Sequence, residues 1–273
     1  MHRNGFSVAL IAAVALIAGS SGPSTAFAAD LARPVYTATP SAAFYDWTGF
    51  YVGGHLGYGW SRANTNADPL PSVLAFGTSP SALTLHSSGA IGGGQVGHNW
   101  QFAPNWAFGI EADISWSGVE GSNTAVVLPG GNAATCLNCT ATVNRKWDYL
   151  GTIRGRFGVT WDHWFAYGTG GFAYGGASFD GNVAIPNFTH PASTKATGYG
   201  WALGGGLEYA LAGNWTMKGE YLYIQLNDGG NVVGNEVPVV PPFAYRYTWE
   251  DTKVHTFRFG LNYRFGTPLA AKY

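Results

Sequence analysis

From Lys253 to Phe265 the side chains alternate without a break: Phe257, Phe259, Leu261, Tyr263 and Phe265 fall on one face of an extended chain, Thr256, Arg258, Gly260, Asn262 and Arg264 on the other. Successive side chains of a strand point to opposite faces, so this ribbon carries an aromatic wall on one side and a polar, charged wall on the other. No half-buried strand of a soluble protein needs such a wall. Trp106 to Trp116 repeats the pattern, with Trp106, Phe108, Ile110, Ala112, Ile114 and Trp116 against Gly109, Glu111, Asp113 and Ser115. Six further segments read as strands: Thr48 to Trp60, Ser88 to Phe102, Arg145 to Thr160, Trp164 to Ser178, Gly198 to Leu211 and Trp215 to Asn227. The fifth and seventh of the eight in chain order alternate imperfectly. In the seventh, Leu222, Ile224 and Leu226 share a face with Lys218 and Glu220, and a β-bulge is expected there to restore the register.

The solvent for such strands follows from composition. Only 11% of residues are charged, 15% are aromatic, 40 of 273 are glycine and the formal net charge is −1. The near-neutral balance, with no basic run, gives no footprint for nucleic acid, and the aromatic content excludes a disordered chain. Arg3 followed by the apolar run Phe6 to Ala18 and the small-residue site Ala26-Phe27-Ala28 reads as a secretory signal peptide, residues 1–28. No later stretch of eighteen apolar residues exists, so membrane-spanning helices are excluded. The remaining structure that satisfies every backbone polar group in hydrocarbon is a closed barrel. The expected fold is therefore all-β, an eight-stranded antiparallel transmembrane β-barrel over residues 47–265. An extended periplasmic arm, 29–46, precedes it and a short extension, 266–273, follows. A soluble lipocalin-like barrel has its apolar face inward and its polar face outward, the inverse of this pattern.

Connections alternate between two kinds. Ala103-Pro104-Asn105, Trp161-Asp162-His163 and Ala212-Gly213-Asn214 are tight turns, whereas Ser61 to Ser87, Val119 to Asn144, Phe179 to Thr197 and Asp228 to Thr252 are long and polar. Short periplasmic turns and long extracellular loops are the outer-membrane arrangement. The spacing Asn-Trp-x4-Glu recurs at Asn105-Trp106-Glu111 and Asn214-Trp215-Glu220, each opening a strand after a short turn.

Strand-borne charges must then point inward, because a Lys or Arg on the lipid face at the midplane costs roughly 2–4 kcal/mol. That rule gathers Glu111, Asp113, Glu208 and Glu220 with Arg154, Arg156, Lys218, Arg258 and Arg264 in one lumen. A core of satisfied ion pairs is the expected arrangement. A narrow ion path lined by Arg154, Arg156 and Arg258 is the alternative. Glycines such as Gly53, Gly57, Gly93, Gly97, Gly204 and Gly206 give long side chains room.

Other motifs carry less. Gly92 to Gly97 matches G-x-G-x-x-G but lies inside a strand and opens no helix, so no nucleotide site follows. Cys136 and Cys139 fall in an extracellular connection, where an isolated pair is expected to form a disulfide; free thiols or a metal site are the alternatives. His86 and His190, in separate loops, could meet around a metal or haem, but no histidines are paired at ligand spacing. No Ser, His and acid stand at one rim height, so no enzyme is expected, and no cofactor.

The segments Asp46-Trp47-Thr48-Gly49-Phe50-Tyr51-Val52-Gly53-Gly54, Gly93-Gly94-Gln95-Val96-Gly97-His98-Asn99-Trp100-Gln101, Gly206-Leu207-Glu208-Tyr209-Ala210-Leu211 and Gly260-Leu261-Asn262-Tyr263-Arg264-Phe265 resemble the small outer-membrane immunogenic proteins of alphaproteobacteria, the Omp25/Omp31/RopB group. The resemblance spans Asp46 to Phe265. It implies a place in the Gram-negative outer membrane among lipids and lipopolysaccharide, a part in envelope integrity, a host or symbiont surface ligand for the loops, and in some relatives a small pore or haem binding. It also implies that Arg258 to Phe265, with Arg258, Gly260, Tyr263 and Phe265, is the signal read by the outer-membrane insertion machinery. Family members commonly stop at the terminal Phe, whereas this chain continues from Gly266 to Tyr273. Oligomeric state stays open.

Overall fold

The computed structural model describes residues 45–70, 78–79, 83–126, 128–129, 139–235, 237 and 244–266. The described chain is β1 (Gly49–Leu70), β2 (Thr78–Ser79), β3 (Leu83–Ala103), β4 (Trp106–Ser117), β5 (Glu120–Val126), β6 (Leu128–Pro129), β7 (Thr140–Trp161), β8 (Trp164–Ile185), β9 (Phe188–Ala210), β10 (Trp215–Asn227), β11 (Gly230–Asn235), β12 (Ala244–Trp249) and β13 (Thr252–Phe265). These form eight staves, because β5 continues β4, β11 continues β10 and β13 continues β12 after gaps of two residues. Every neighbour is antiparallel, and the ring closes where β1 pairs with β3 on one edge and β13 on the other. β2 and β6 form a separate two-residue pair. The expected signal peptide, the expected arm apart from Tyr45 and Asp46, and the expected extension apart from Gly266 lie outside the described residues.

The lipid-facing wall follows from the alternation. On β4, Trp106, Phe108, Ile110, Ile114 and Trp116 are exposed while Ala107, Glu111, Asp113 and Ser115 are buried. The ten residue-to-residue steps from Trp106 to Trp116, at about 3.3 Å each and tilted by roughly 40°, give a band about 25 Å tall, the height of an outer-membrane hydrocarbon wall. Aromatic rings mark both rims: Trp100, Trp106, Trp161, Trp164 and Trp215 at one end, Trp60, Trp116, Tyr199, Trp201 and Tyr221 at the other. At the first rim the turns are tight, and Asp162 takes the left-handed φ of +46° inside one of them.

Beyond the second rim the described residues of the expected loops are largely strand. β8 and β9 pair without interruption up to Ile185 opposite Phe188, across the turn Pro186-Asn187. Asn187 has φ of +70°, which suits the third position of a type II turn whose second position is proline. Polar composition hid these extensions, but unpaired backbone groups are costly and the inward side chains supply a core. Ala67, Leu83, Leu85, Cys139, Ala141, Val143, Val183, Ala192, Tyr245 and Tyr247 form an apolar cluster within the extracellular part.

The bulge expected in β10 is not there. β10 keeps unbroken register with β9 and β13, and Leu222, Ile224 and Leu226 simply point inward, each 0% exposed. They join Ile91, Val119, Trp147, Leu150, Phe179, Trp249 and Val254 in a second apolar cluster that fills the lumen near the outer rim. The register shifts fall instead at Gln101/Ala103 of β3 and Trp147/Tyr149 of β7. At the periplasmic mouth, Trp47, Ala107, Phe165, Tyr167 and Ala210 form a third cluster, with Tyr45 packed against it.

Candidate functional site

Between the mouth cluster and the upper apolar cluster lies the charged interior. β4 supplies Glu111 and Asp113, β7 Arg154 and Arg156, β9 Glu208, β10 Lys218 and Glu220, and β13 Arg258, all buried. Strand register alone sets opposite charges side by side: Glu111 opposite Arg154, Lys218 opposite Glu208, Glu220 opposite Arg258. Directly opposite residues on one face lie about 4.5–5.5 Å apart at Cβ, so long side chains meet without strain.

Glu111 is the hub. Its carboxylate accepts from Lys218 Nζ at 2.7 Å, Arg154 Nη2 at 2.8 Å and Arg156 Nη1 at 3.2 Å, and from the Tyr51 hydroxyl at 2.6 Å. Arg154 also reaches Asp113 at 3.0 Å and Glu220 at 3.1 Å, while Arg258 Nη1 donates to Asp113 Oδ1 at 2.8 Å. Arg156 pairs with Glu208 and lies over the rings of Tyr51, Phe165 and Tyr167. Glu208 further accepts from Asn262 Nδ2 at 2.9 Å and from Thr216. The linked set thus holds four acids and four bases and is formally neutral. Burying charges is costly unless each is paired and hydrogen-bonded, and here every carboxylate is.

Arg264, the remaining base, joins none of these pairs. It lies lower, with its guanidinium 4.3 Å from the ring centre of Tyr45. The Trp47 backbone N–H donates to Gln101 Oε1 at 2.8 Å and the Trp47 ring sits 5.4 Å from Phe165, so the residues leading into β1 fold into the mouth. Gly260 faces the lumen beside Gln95 and Lys218, whereas Tyr263 packs on Trp215 and Phe265 on Phe50 along the outer wall.

Other lumen residues are not among the charges. Tyr167 donates to Glu220 Oε1 at 3.0 Å. His55 bridges Gln95 Oε1 at 3.0 Å and Ser115 Oγ at 2.7 Å. Both were accessible from parity, since each lies an even number of residues from an inward neighbour. Arg145 was not: the shift around Asp148 reverses the parity of β7, turning Arg145 inward to pair with Asp228 and with Thr252. It is sandwiched by Trp147 at 4.8 Å and Phe179 at 4.4 Å.

Cys139 is buried and is not a free thiol; Cys136 lies outside the described residues. His86 faces outward opposite Arg62, and His190 is buried edge-on to Tyr245, so the two occupy different environments. Among the described residues no group of three or more His, Cys, Asp or Glu is placed to hold a metal.

The family described as outer membrane protein beta-barrel domain matches residues 13–265. The 31 kDa outer-membrane immunogenic protein of Brucella melitensis is 35% identical over 268 residues, covering 95% of this chain and 99% of its own. The 22 kDa outer membrane protein of Rhizobium leguminosarum bv. viciae is 30% identical over 179 residues, 65% of this chain and 63% of its own. Among solved structures, the outer membrane protein OprG of Pseudomonas aeruginosa aligns over 82% of this chain and all of its own at 15% identity, with a TM-score of 0.48.

Proposed function

Because this chain belongs to the outer membrane β-barrel family and is an outer-membrane protein related to surface immunogenic proteins, we propose that it acts as a closed, non-enzymatic barrel that contributes to envelope structure and presents its extracellular hairpins to a host or symbiont surface. The observation that carries this reading is the stacking of two barriers in one lumen. A neutral, fully paired charge network fills the middle, and Leu222, Ile224 and Leu226 occupy the path above it. An ion crossing the barrel would have to displace both. In this reading residues 1–28 direct export and Arg258 to Phe265 guides insertion. Phe265→Ala, which removes an outward aromatic ring from the closing strand, is expected to slow assembly in cells without weakening the refolded barrel; equal assembly rates would remove that role.

A second reading, a small pore through the Arg-lined lumen, is favoured by Arg258, whose Nε and Nη2 are buried without a protein partner and so call for water. Single-channel recording in planar bilayers separates the two. The closed-barrel reading expects a silent bilayer from protein whose heat-modifiable gel mobility shows it folded. Discrete steps altered by Arg154→Ala and Arg258→Ala would overturn it in favour of the pore.

A further inference from the structure

The outer wall just beyond the extracellular rim is not uniform. On β1, Trp60 pairs across to Ser88 of β3 and His255 of β13, and His255 to Tyr223 of β10. The Trp60 and His255 rings stack at 5.6 Å and 9°, and the Tyr221 hydroxyl lies 2.7 Å from His255 Nδ1. One outward step further along the same four staves lies a second row. Arg62 is opposite His86, Ser61 opposite Val254 sets Arg62 beside Lys253, and Lys253 is opposite Gln225. A basic row therefore sits directly on an aromatic row, across neighbouring strands spaced about 4.8 Å apart.

These residues line one groove of about 1210 Å³ that includes Trp60, Arg62, His86, Lys253 and His255. Glu250 and Asp251 line it too, on the side away from the bilayer. Glu250 accepts from Asn64 at 3.3 Å and Asp251 from the Gly229 N–H at 3.0 Å. Neither Arg62 nor Lys253 is ion-paired among the described residues. Elsewhere around the ring the outward charges are mixed: Lys146 is opposite Glu120, and its neighbour Ser178 bonds Asp148.

We propose that the row His86, Arg62 and Lys253, seated on Trp60 and His255, is a docking site for the phosphorylated headgroup of an outer-leaflet lipid. Aromatic rings settle at the level where acyl chains give way to headgroups. The row above them meets the phosphates, and two cations that make no ion pair among the described residues, each with a histidine beside it, supply complementary charge. The inference rests on the chain's place in the outer membrane and is independent of whether the lumen conducts.

The test is native mass spectrometry of the refolded full chain in detergent with bisphosphorylated lipid A, with dephosphorylated lipid A as the comparison ligand and inorganic phosphate as competitor. A basic residue near anionic lipid is worth about 1 kcal/mol, so Arg62→Gln with Lys253→Gln is expected to weaken retention of the phosphorylated lipid about thirtyfold. The same charge change at Lys146 and Lys195, on another part of the wall, should alter it by less than about threefold. Heat-modifiable mobility reports folding of each variant separately. Equal retention of the two lipid forms, or equal losses in the two double variants, would overturn the site. Displacement of the lipid by millimolar phosphate would mean that the row holds a free anion and would equally overturn a lipid headgroup as its occupant.

Discussion

At the scale of single residues, Glu111 bears the most. Three cations and one phenol converge on its carboxylate, so Glu111→Gln leaves Lys218, Arg154 and Arg156 partly uncompensated in a buried site. Breaking a buried pair by removing one partner costs about 3–5 kcal/mol; guanidinium unfolding of the refolded barrel, followed by tryptophan fluorescence, is expected to show a loss in that range. Arg264 makes no ion pair among the described residues and lies over the Tyr45 ring, so the cost of Arg264→Gln should stay near 1 kcal/mol. Comparable losses from the two substitutions would contradict the hub. Parity in the sequence gathered nine charges into the lumen, and eight of them meet in one network. Arg264 departs because the folded-in arm gives it a ring to cover, and no alternation pattern encodes a contact from outside the strands. Arg145 escaped for the opposite reason, since a single extra residue at Asp148 exchanges the two faces of β7.

At the scale of elements, glycine placement decides whether strands fit. A Cβ on Gly93 would lie 1.9 Å from the Ile114 carbonyl oxygen, which is backbone and cannot turn away, whereas one on Gly94 would have its nearest contact at 3.8 Å. Gly93→Ala is expected to cut the folded fraction on refolding severely and Gly94→Ala to leave it near wild type, as read by gel mobility with and without heating. The membrane-crossing strands β4 and β13 were legible because lipid demands apolar side chains at every second position. Leu222, Ile224 and Leu226 were misleading for a related reason. Apolar residues inside a barrel resemble a slipped register when the interior is assumed to be polar throughout, yet here they pack against Trp147 and Val254 with the register intact.

At the scale of the whole molecule, the barrel has two storeys. Its membrane storey encloses the charge network, and its extracellular storey has a separate apolar cluster. Three staves are interrupted just beyond the outer aromatic rim, at residues 118–119, 228–229 and 250–251. Replacing residues 181–192, the far end of the β8–β9 hairpin, by a two-residue turn should leave the membrane storey folded, with heat-modifiable mobility retained, while protease susceptibility rises in what remains of the upper storey. Loss of mobility shift in that variant would show that the storeys fold as one. The sequence announced the lower storey by periodicity; it understated the upper one, where water rather than lipid faces the wall and the outward residues are free to be polar.

The interruptions at the rim have a consequence for how such a surface ages. Where strands break between storeys, altered side chains above need not be matched by compensating change below. Variation in the water-facing storey and the packing demands of the membrane storey then fall on different parts of one chain, and a lineage can vary the first while keeping the second, which must fit the envelope.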